Sequence, residues 1–373
     1  MANYAKLRIL HLQLEFNTWS DARPWTYSVG LGLEEGLASN RVQFTTLPTT
    51  WLPRAEQILA GKRFDQVWLE VVHQAQFDQA WDWVASLAPV RVGFVGESLR
   101  YGPEEAELWP ELYPRLSTRH HLVSTRLPYL THAVATDEAD AAELNAAGPV
   151  PAMWWPQAVP ERFIKHAAPI APNTPAIFAG TPYGKRQYFL SHPTLRGLIE
   201  RLSSPEDRGI FPGLFEAINL AAASFMQREL PDWQRSFPAY MEMLRRVRRE
   251  LYSQFLEGLQ AGSAVVNLPH LVKSYAGRVV EGMAAGRPIV SWDLPNRPRN
   301  RALFEAGSEI LLFNRDSPEE LAEHLQRLQA DPVLGERIAT NARRKVKRLH
   351  TVERRVTQIL DWTTSAIEPS YAA

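Results

Sequence analysis

The chain has no cysteine among its 373 residues. Structural disulfides, zinc–thiolate sites and cysteine nucleophiles are therefore excluded. Charge of one sign is missing too: 41 Lys and Arg face 41 Asp and Glu. No net field draws in nucleic acid or a membrane surface. No uninterrupted apolar run reaches spanning length, and Met1 to Leu14 lacks the charged-then-apolar pattern of an export signal. A soluble cytoplasmic protein is the expectation. The sequence also contains no His-Glu-x-x-His pair, no histidines at ligand spacing and no Asp-x-Asp metal motif. Self-similarity at solenoid periods is absent as well.

What is present is alternation. Leu7–Leu14 reads as a strand, and Tyr27–Ala38 as a helix. Strands follow at Val42–Leu47, Gln66–Val72, Arg91–Val95 and His132–Thr136, with helices over Phe77–Leu87 and Glu138–Ala146. Repeated β-α-β order with apolar strands predicts a doubly wound parallel sheet, which binds ligands outside the carboxyl ends of its strands. The proline-rich tract Ala167–Pro175 cannot continue regular hydrogen bonding, so a boundary falls near residues 156–176. A second α/β unit opens at Ala176–Gly180. Residues 213–260 read as mostly helical, with a break near Pro231. Strands are expected at Ser263–Asn267, Pro288–Trp292 and Glu309–Phe313, and helices over Pro318–Gln329, Pro332–Leu349 and Val352 to about Ile367.

The segment Ser274 to Asp293 is the most informative. It reads as a helix capped by Ser274, stopped by Gly286 and Pro288, and followed by a buried strand. Gly277 permits close approach of another group. Ser274, Arg278 and Glu281 would share one helical face, placing a hydroxyl, a cation and a carboxylate together. The N–H groups opening such a helix suit a phosphate, and a carboxylate further along could accept ribose hydroxyls.

These residues resemble the donor-sugar motif of GT-B glycosyltransferases, especially group 1 enzymes related to family 4 and its spore-maturation-type subgroup. The resemblance implies two Rossmann-like doubly wound domains facing a cleft: 1–160 for the acceptor, 161–350 for the nucleotide sugar, and a helix over 351–373 returning to the first domain. It also implies that Glu281 contacts the donor ribose. Family 4 usually carries a second glutamate eight positions earlier, near the transferred sugar; here that position is Lys273. A phosphate contact from Lys273 is the expectation in its place, with Ser274, Tyr275, Gly277 and Arg278 completing that side of the donor site.

Gly180-Thr-Pro-Tyr-Gly-Lys-Arg186 follows directly on a strand. Its spacing is not that of a Walker A loop. Glycine lets the backbone approach a ligand, and Lys185 with Arg186 could neutralise a diphosphate. Gly180, Thr181, Tyr183, Lys185 and Arg186 therefore join the expected donor site. For acid–base chemistry the candidates are Glu97, at the end of the Arg91–Val95 strand, and His73, after the Gln66–Val72 strand. The corresponding loop of related enzymes supplies an acid, base or acceptor contact.

Other features read more simply. Gly30-Leu-Gly-Leu-Glu-Glu-Gly36 is helix–sheet packing rather than a dinucleotide fingerprint, and Thr136–Asp140 is a strand end and an acidic first turn. The basic runs Arg245–Arg249 and Arg343–Arg348 could touch an anionic membrane weakly, but nearby acids make solvated helix faces the simpler reading. Trp19 and Trp25 lie in a loop that could overhang a cleft. The expectation is a metal-independent transferase, with no cofactor and no nucleic-acid partner. It would move a sugar from a nucleotide diphosphate sugar to a glycan, lipid-linked, small-molecule or protein hydroxyl. The competing readings are a catalytically degenerate binding protein and a sugar-nucleotide epimerase-like enzyme.

Overall fold

The computed structural model describes residues 4–13, 28–72, 80–171, 173–202 and 233–364. Two parallel sheets organise them. The first has six strands: β1 (Arg8–Gln13), β2 (Gln43–Pro48), β3 (Gln66–Glu70), β4 (Val90–Val95), β5 (His132–Ala135) and β6 (Ala152–Trp154), in the order β2-β1-β3-β4-β5-β6. The second has five: β7 (Ala176–Phe178), β8 (Ile199–Arg201), β9 (Val265–Asn267), β10 (Ile289–Trp292) and β11 (Leu311–Phe313), in the order β11-β10-β9-β7-β8. Every pairing between these strands is parallel. The doubly wound two-sheet architecture expected from the sequence is the architecture observed. β6 and β8 were not foreseen. Each is three residues long: β6, Ala-Met-Trp, is apolar but too short to stand out as a strand, and β8 is largely exposed and carries no apolar run.

In each sheet the chain lays down two strands on one side and then reverses. The reversal in the second sheet falls between β7 and β9, paired through Ile177 and Val265. The loops leaving these two strands therefore diverge and leave a crevice between them, the usual ligand position in open α/β sheets.

Both faces of the first sheet are apolar because alternate residues go opposite ways. Leu10 and Leu12 join one core with Trp51, Val67, Leu69 and Ala133, whereas Ile9 joins another with Leu33, Leu37, Trp68 and Val134. The helix Val352–Thr364 contributes Val352, Val356, Ile359, Leu360 and Trp362 to the second of these cores and packs along the helix Ser28–Ser39. Gly32 and Gly36 make that approach possible: a Cβ on Gly36 would stand 2.4 Å from Val356. Gly32 and Gly36 of the Gly30–Gly36 run thus lie on a packing face.

The helix Trp233–Gln260 belongs to both halves. Phe237, Tyr240, Met241, Leu244 and Leu251 are buried with the first sheet, Trp51 lying 5.0 Å from Phe237 and 5.3 Å from Tyr240 by ring centroids. Tyr252, Phe255, Leu256 and Leu259 are buried with the second sheet. A division at residue 160 therefore does not divide the cores. The two chain crossings run side by side as well, Val159 N–H donating to His350 O and Val352 N–H to Val159 O, both at 3.1 Å. Among the described residues no helix is long and apolar enough to cross a membrane.

Candidate functional site

The crevice beside β7 and β9 gathers most of the expected donor residues. β7 ends at Phe178, and Gly180 follows with φ +155°. A Cβ there would stand 3.0 Å from the Arg278 guanidinium and 3.3 Å from the Phe178 ring, so only glycine lets Arg278 lie across the loop. The expected loop is shorter than anticipated. A helix begins at Gly184 and runs to Ser191, so Lys185 and Arg186 are its first turn.

Arg186 and Arg278 form the cationic centre. Arg186 is 5% exposed. It donates through Nε to Pro269 O and through NH1 to Thr181 O, both at 3.2 Å. Arg278 NH1 donates to Asn267 Oδ1 at 3.1 Å. Both guanidiniums lie over the Phe178 ring, at 5.8 and 5.7 Å from its centroid. Burial, and then the charge of Arg278, pull Arg186 down to about 9. Burial also lowers Arg278, against the pull of Tyr183 and Glu281. Neither arginine makes an ion pair with a carboxylate among the described residues. A diphosphate would supply the missing negative charge.

Glu281 stands beside this centre, on the helix Gly277–Ala284. Its carboxylate is buried, accepts a hydrogen bond from Tyr252 Oη at 3.3 Å, and lies 3.4 to 3.5 Å from where a Cβ on Gly277 would be. The helix does not open at Ser274, as expected from the sequence. Its N-cap is Ala276, without a side-chain cap bond. Ser274 therefore shares no helical face with Arg278 and Glu281. It lies in the preceding bend, 1% exposed, with an Oγ that has no partner among the described residues. Tyr275 leaves the site altogether. Its side chain packs in the second core 5.9 Å from Phe304, because its N–H is held by Asn300 Oδ1.

Lys185 and Lys273 are each already engaged. Lys185 Nζ is ion-paired with Asp316, and burial, then the charge of Arg315, lowers its pKa. Lys273 Nζ reaches Glu105 Oε1 of the first domain at 2.7 Å, and its N–H donates to Ser98 Oγ at 2.8 Å. Lys273 also lies 5.8 Å from the centre of the Tyr101 ring. Tyr101 Oη accepts from Arg119 NH1 at 2.9 Å, and Arg119 is 2.5 Å from Glu97 Oε2. Glu97 is thus joined to the donor side through Arg119 and Tyr101. His73, Trp19 and Trp25 lie outside the described residues.

Sequence reasoning missed His270 and Trp109. Val272 N–H donates to His270 Nδ1 at 3.1 Å, which puts the imidazole proton on Nε2, and that atom has no partner among the described residues. Burial, then the charges of Arg186 and Arg278, hold this histidine neutral, well below its ordinary pKa. Its place directly after Pro269 at the end of β9 was the only available signal. Trp109 comes from the first domain and stacks on Tyr183 with ring centres 3.9 Å apart and planes 15° apart. Among the described residues no group of three His, Asp or Glu side chains is placed to hold a metal ion.

Comparison with known proteins agrees with this architecture. Residues 213–361 match the family described as glycosyl transferase-like. The fold is GT-B. Sucrose-phosphate synthase from Thermosynechococcus elongatus superposes with a TM-score of 0.59 at 14% identity, covering 95% of this chain and 98% of that one. Anabaena HepE, solved with UDP and glucose, gives 0.54 at 13% identity, covering 95% and 98%. A glycosyltransferase from Rickettsia africae gives 0.53 at 8% identity, covering 96% and 97%. No curated protein matches the chain.

Proposed function

We propose that the protein transfers a sugar from a nucleotide diphosphate sugar to a hydroxyl acceptor, without a metal ion. The carrying observation is the pair Arg186 and Arg278, the first buried, the second partly buried, and neither ion-paired with a carboxylate among the described residues, at the crevice that also holds Glu281. In this reading Arg186 and Arg278 hold the diphosphate, the Gly180 backbone approaches it, and Glu281 accepts the ribose hydroxyls. The two guanidiniums stabilise charge as the anomeric carbon–oxygen bond breaks and its electron pair leaves with the diphosphate. The acceptor oxygen bonds to the anomeric carbon, and Glu97 takes its proton. HepE was solved with UDP-glucose, so uridine donors are the first to test.

A thermal-shift screen of UDP, GDP, ADP and dTDP checks the nucleotide site, followed by their sugar conjugates. Ligand at 100 times its dissociation constant should add about 2.7 kcal/mol. Glu281→Ala should lose most of that shift while the ligand-free protein melts as a folded chain. A mutant that binds as tightly as the parent removes Glu281 from the ribose.

A binding protein without turnover is the second reading. It is favoured by the engagement of Glu97 by Arg119 and of Lys273 by Glu105. Nucleotide binding with no donor consumption, with or without acceptors, supports it. Donor conversion with no acceptor present points instead to an epimerase-like reaction.

A further inference from the structure

The first-domain segment 98–109 touches both walls of the donor crevice. Ser98 and Glu105 hold Lys273 on the β9 side. On the β7 side, Leu108 O lies against Gly184, whose φ is +42°; a Cβ there would come 2.0 Å from that oxygen. Next along the segment, Trp109 covers Tyr183. The other side of the Tyr183 interaction is Arg186, whose guanidinium is 4.4 Å from the ring centre. Trp109, Tyr183, Arg186 and Phe178 thus make one continuous stack leading from the first domain into the cationic centre.

We propose that Trp109 is a positioning residue of the donor site: it clamps Tyr183, and through Tyr183 it aims Arg186 at the diphosphate. This rests on the nucleotide reading above. The physical reason is the poverty of other restraints on Arg186. Its hydrogen bonds go to two backbone carbonyls, and among the described residues no carboxylate fixes it. A ring held by stacking orients a guanidinium through its face, and that restraint is strongest where water is excluded. The segment that carries Trp109 is part of the domain expected to hold the acceptor, so the donor site is complete only when both domains are in contact.

The test measures dissociation constants for whichever of UDP, GDP, ADP and dTDP binds the parent best, and for its monophosphate. Trp109→Ala should weaken the diphosphate about 10-fold, the equivalent of about 1.4 kcal/mol, and the monophosphate much less. Trp109→Phe should recover most of the loss. Tyr183→Leu should match Trp109→Ala, and the double variant should be no worse than either alone, because both act on one restraint. Unchanged diphosphate affinity in Trp109→Ala, or fully additive losses in the double variant, overturns the proposal. Equal losses for mono- and diphosphate overturn it too, since they mark a general loosening. If Trp109→Ala fails to fold by circular dichroism, Trp109→Leu and Tyr183→Leu carry the same comparison. Arg186→Ala separates the two claims. If it weakens the diphosphate while Trp109→Ala does not, the nucleotide site stands and the clamp falls. If the parent binds none of the four, the nucleotide reading fails first.

Discussion

Arg297 of the second domain closes on Asp137 of the first with two hydrogen bonds, Nε to Oδ1 at 2.5 Å and NH2 to Oδ2 at 2.9 Å. Asp137 is buried at the start of the helix Glu138–Ala147, where it also accepts from Ala139 N–H and Ser98 Oγ. A bidentate arginine–carboxylate pair is the strong form of an ion pair, and this one joins the domains. Removing one partner leaves a buried carboxylate without its counter-charge. Arg297→Met should therefore cost about 3 kcal/mol or more in urea unfolding. Asp137→Asn with Arg297→Met should recover part of it. A loss below about 1 kcal/mol for Arg297→Met would show the pair to be exposed to water in solution.

The neighbouring Asp140 sets a pH dependence. Its carboxyl accepts from Leu99 N–H at 2.9 Å, but burial and then the charge of Asp137 raise its pKa from 3.8 to about 7. The folded protein holds this proton more tightly than the unfolded chain does. The stability it contributes is full below about pH 4 and is lost as pH rises through about 7. The difference in unfolding free energy between the parent and Asp140→Asn should fall across that window and level off above it. A difference that rises with pH would reverse the assignment.

Gly180→Ala tests the approach of Arg278. The new Cβ meets the guanidinium at 3.0 Å, and the φ of +155° is strained for alanine. Stability should drop by about 1–3 kcal/mol. Calorimetry should show nucleotide affinity falling about 10-fold as Arg278 is displaced. Normal affinity with reduced stability would mean that Arg278 does not touch the ligand.

The shared helix Trp233–Gln260 predicts how the chain can be cut. A fragment of residues 1–171 lacks the apolar side chains that this helix and Val352–Thr364 bury in its cores. It should be insoluble or bind hydrophobic dye, and co-expression with residues 172–364 should rescue it. A soluble, cooperatively melting fragment would show that the first sheet folds alone.

Much of the strand order was legible because parallel strands buried on both faces are short apolar runs between punctuated helices. Ile289–Trp292 after Gly286 and Pro288 is the clearest case, Gly286 stopping the helix with a φ of +75°. Helix starts were less legible. Ser274 has the chemistry of a cap, yet the chain stays in a bend until Gly277 because Tyr275 N–H is taken by Asn300, 25 residues along the chain. Lys185 was legible as a cation, whereas its commitment to Asp316 was not.

By itself the sequence determined the two α/β units, the absence of thiol chemistry, and the closeness of Arg278 to Glu281 on one helix. All of these rest on composition or on local periodicity. Only the tertiary structure decided that Arg186 lies with Arg278 over Phe178, that Lys273 holds Glu105, and that Trp109 covers Tyr183. Apart from Arg186 over Phe178, these contacts join residues tens of positions apart or more. They depend on how the strand reversal beside β7 and the contact between domains bring distant loops together, and no local pattern encodes that meeting.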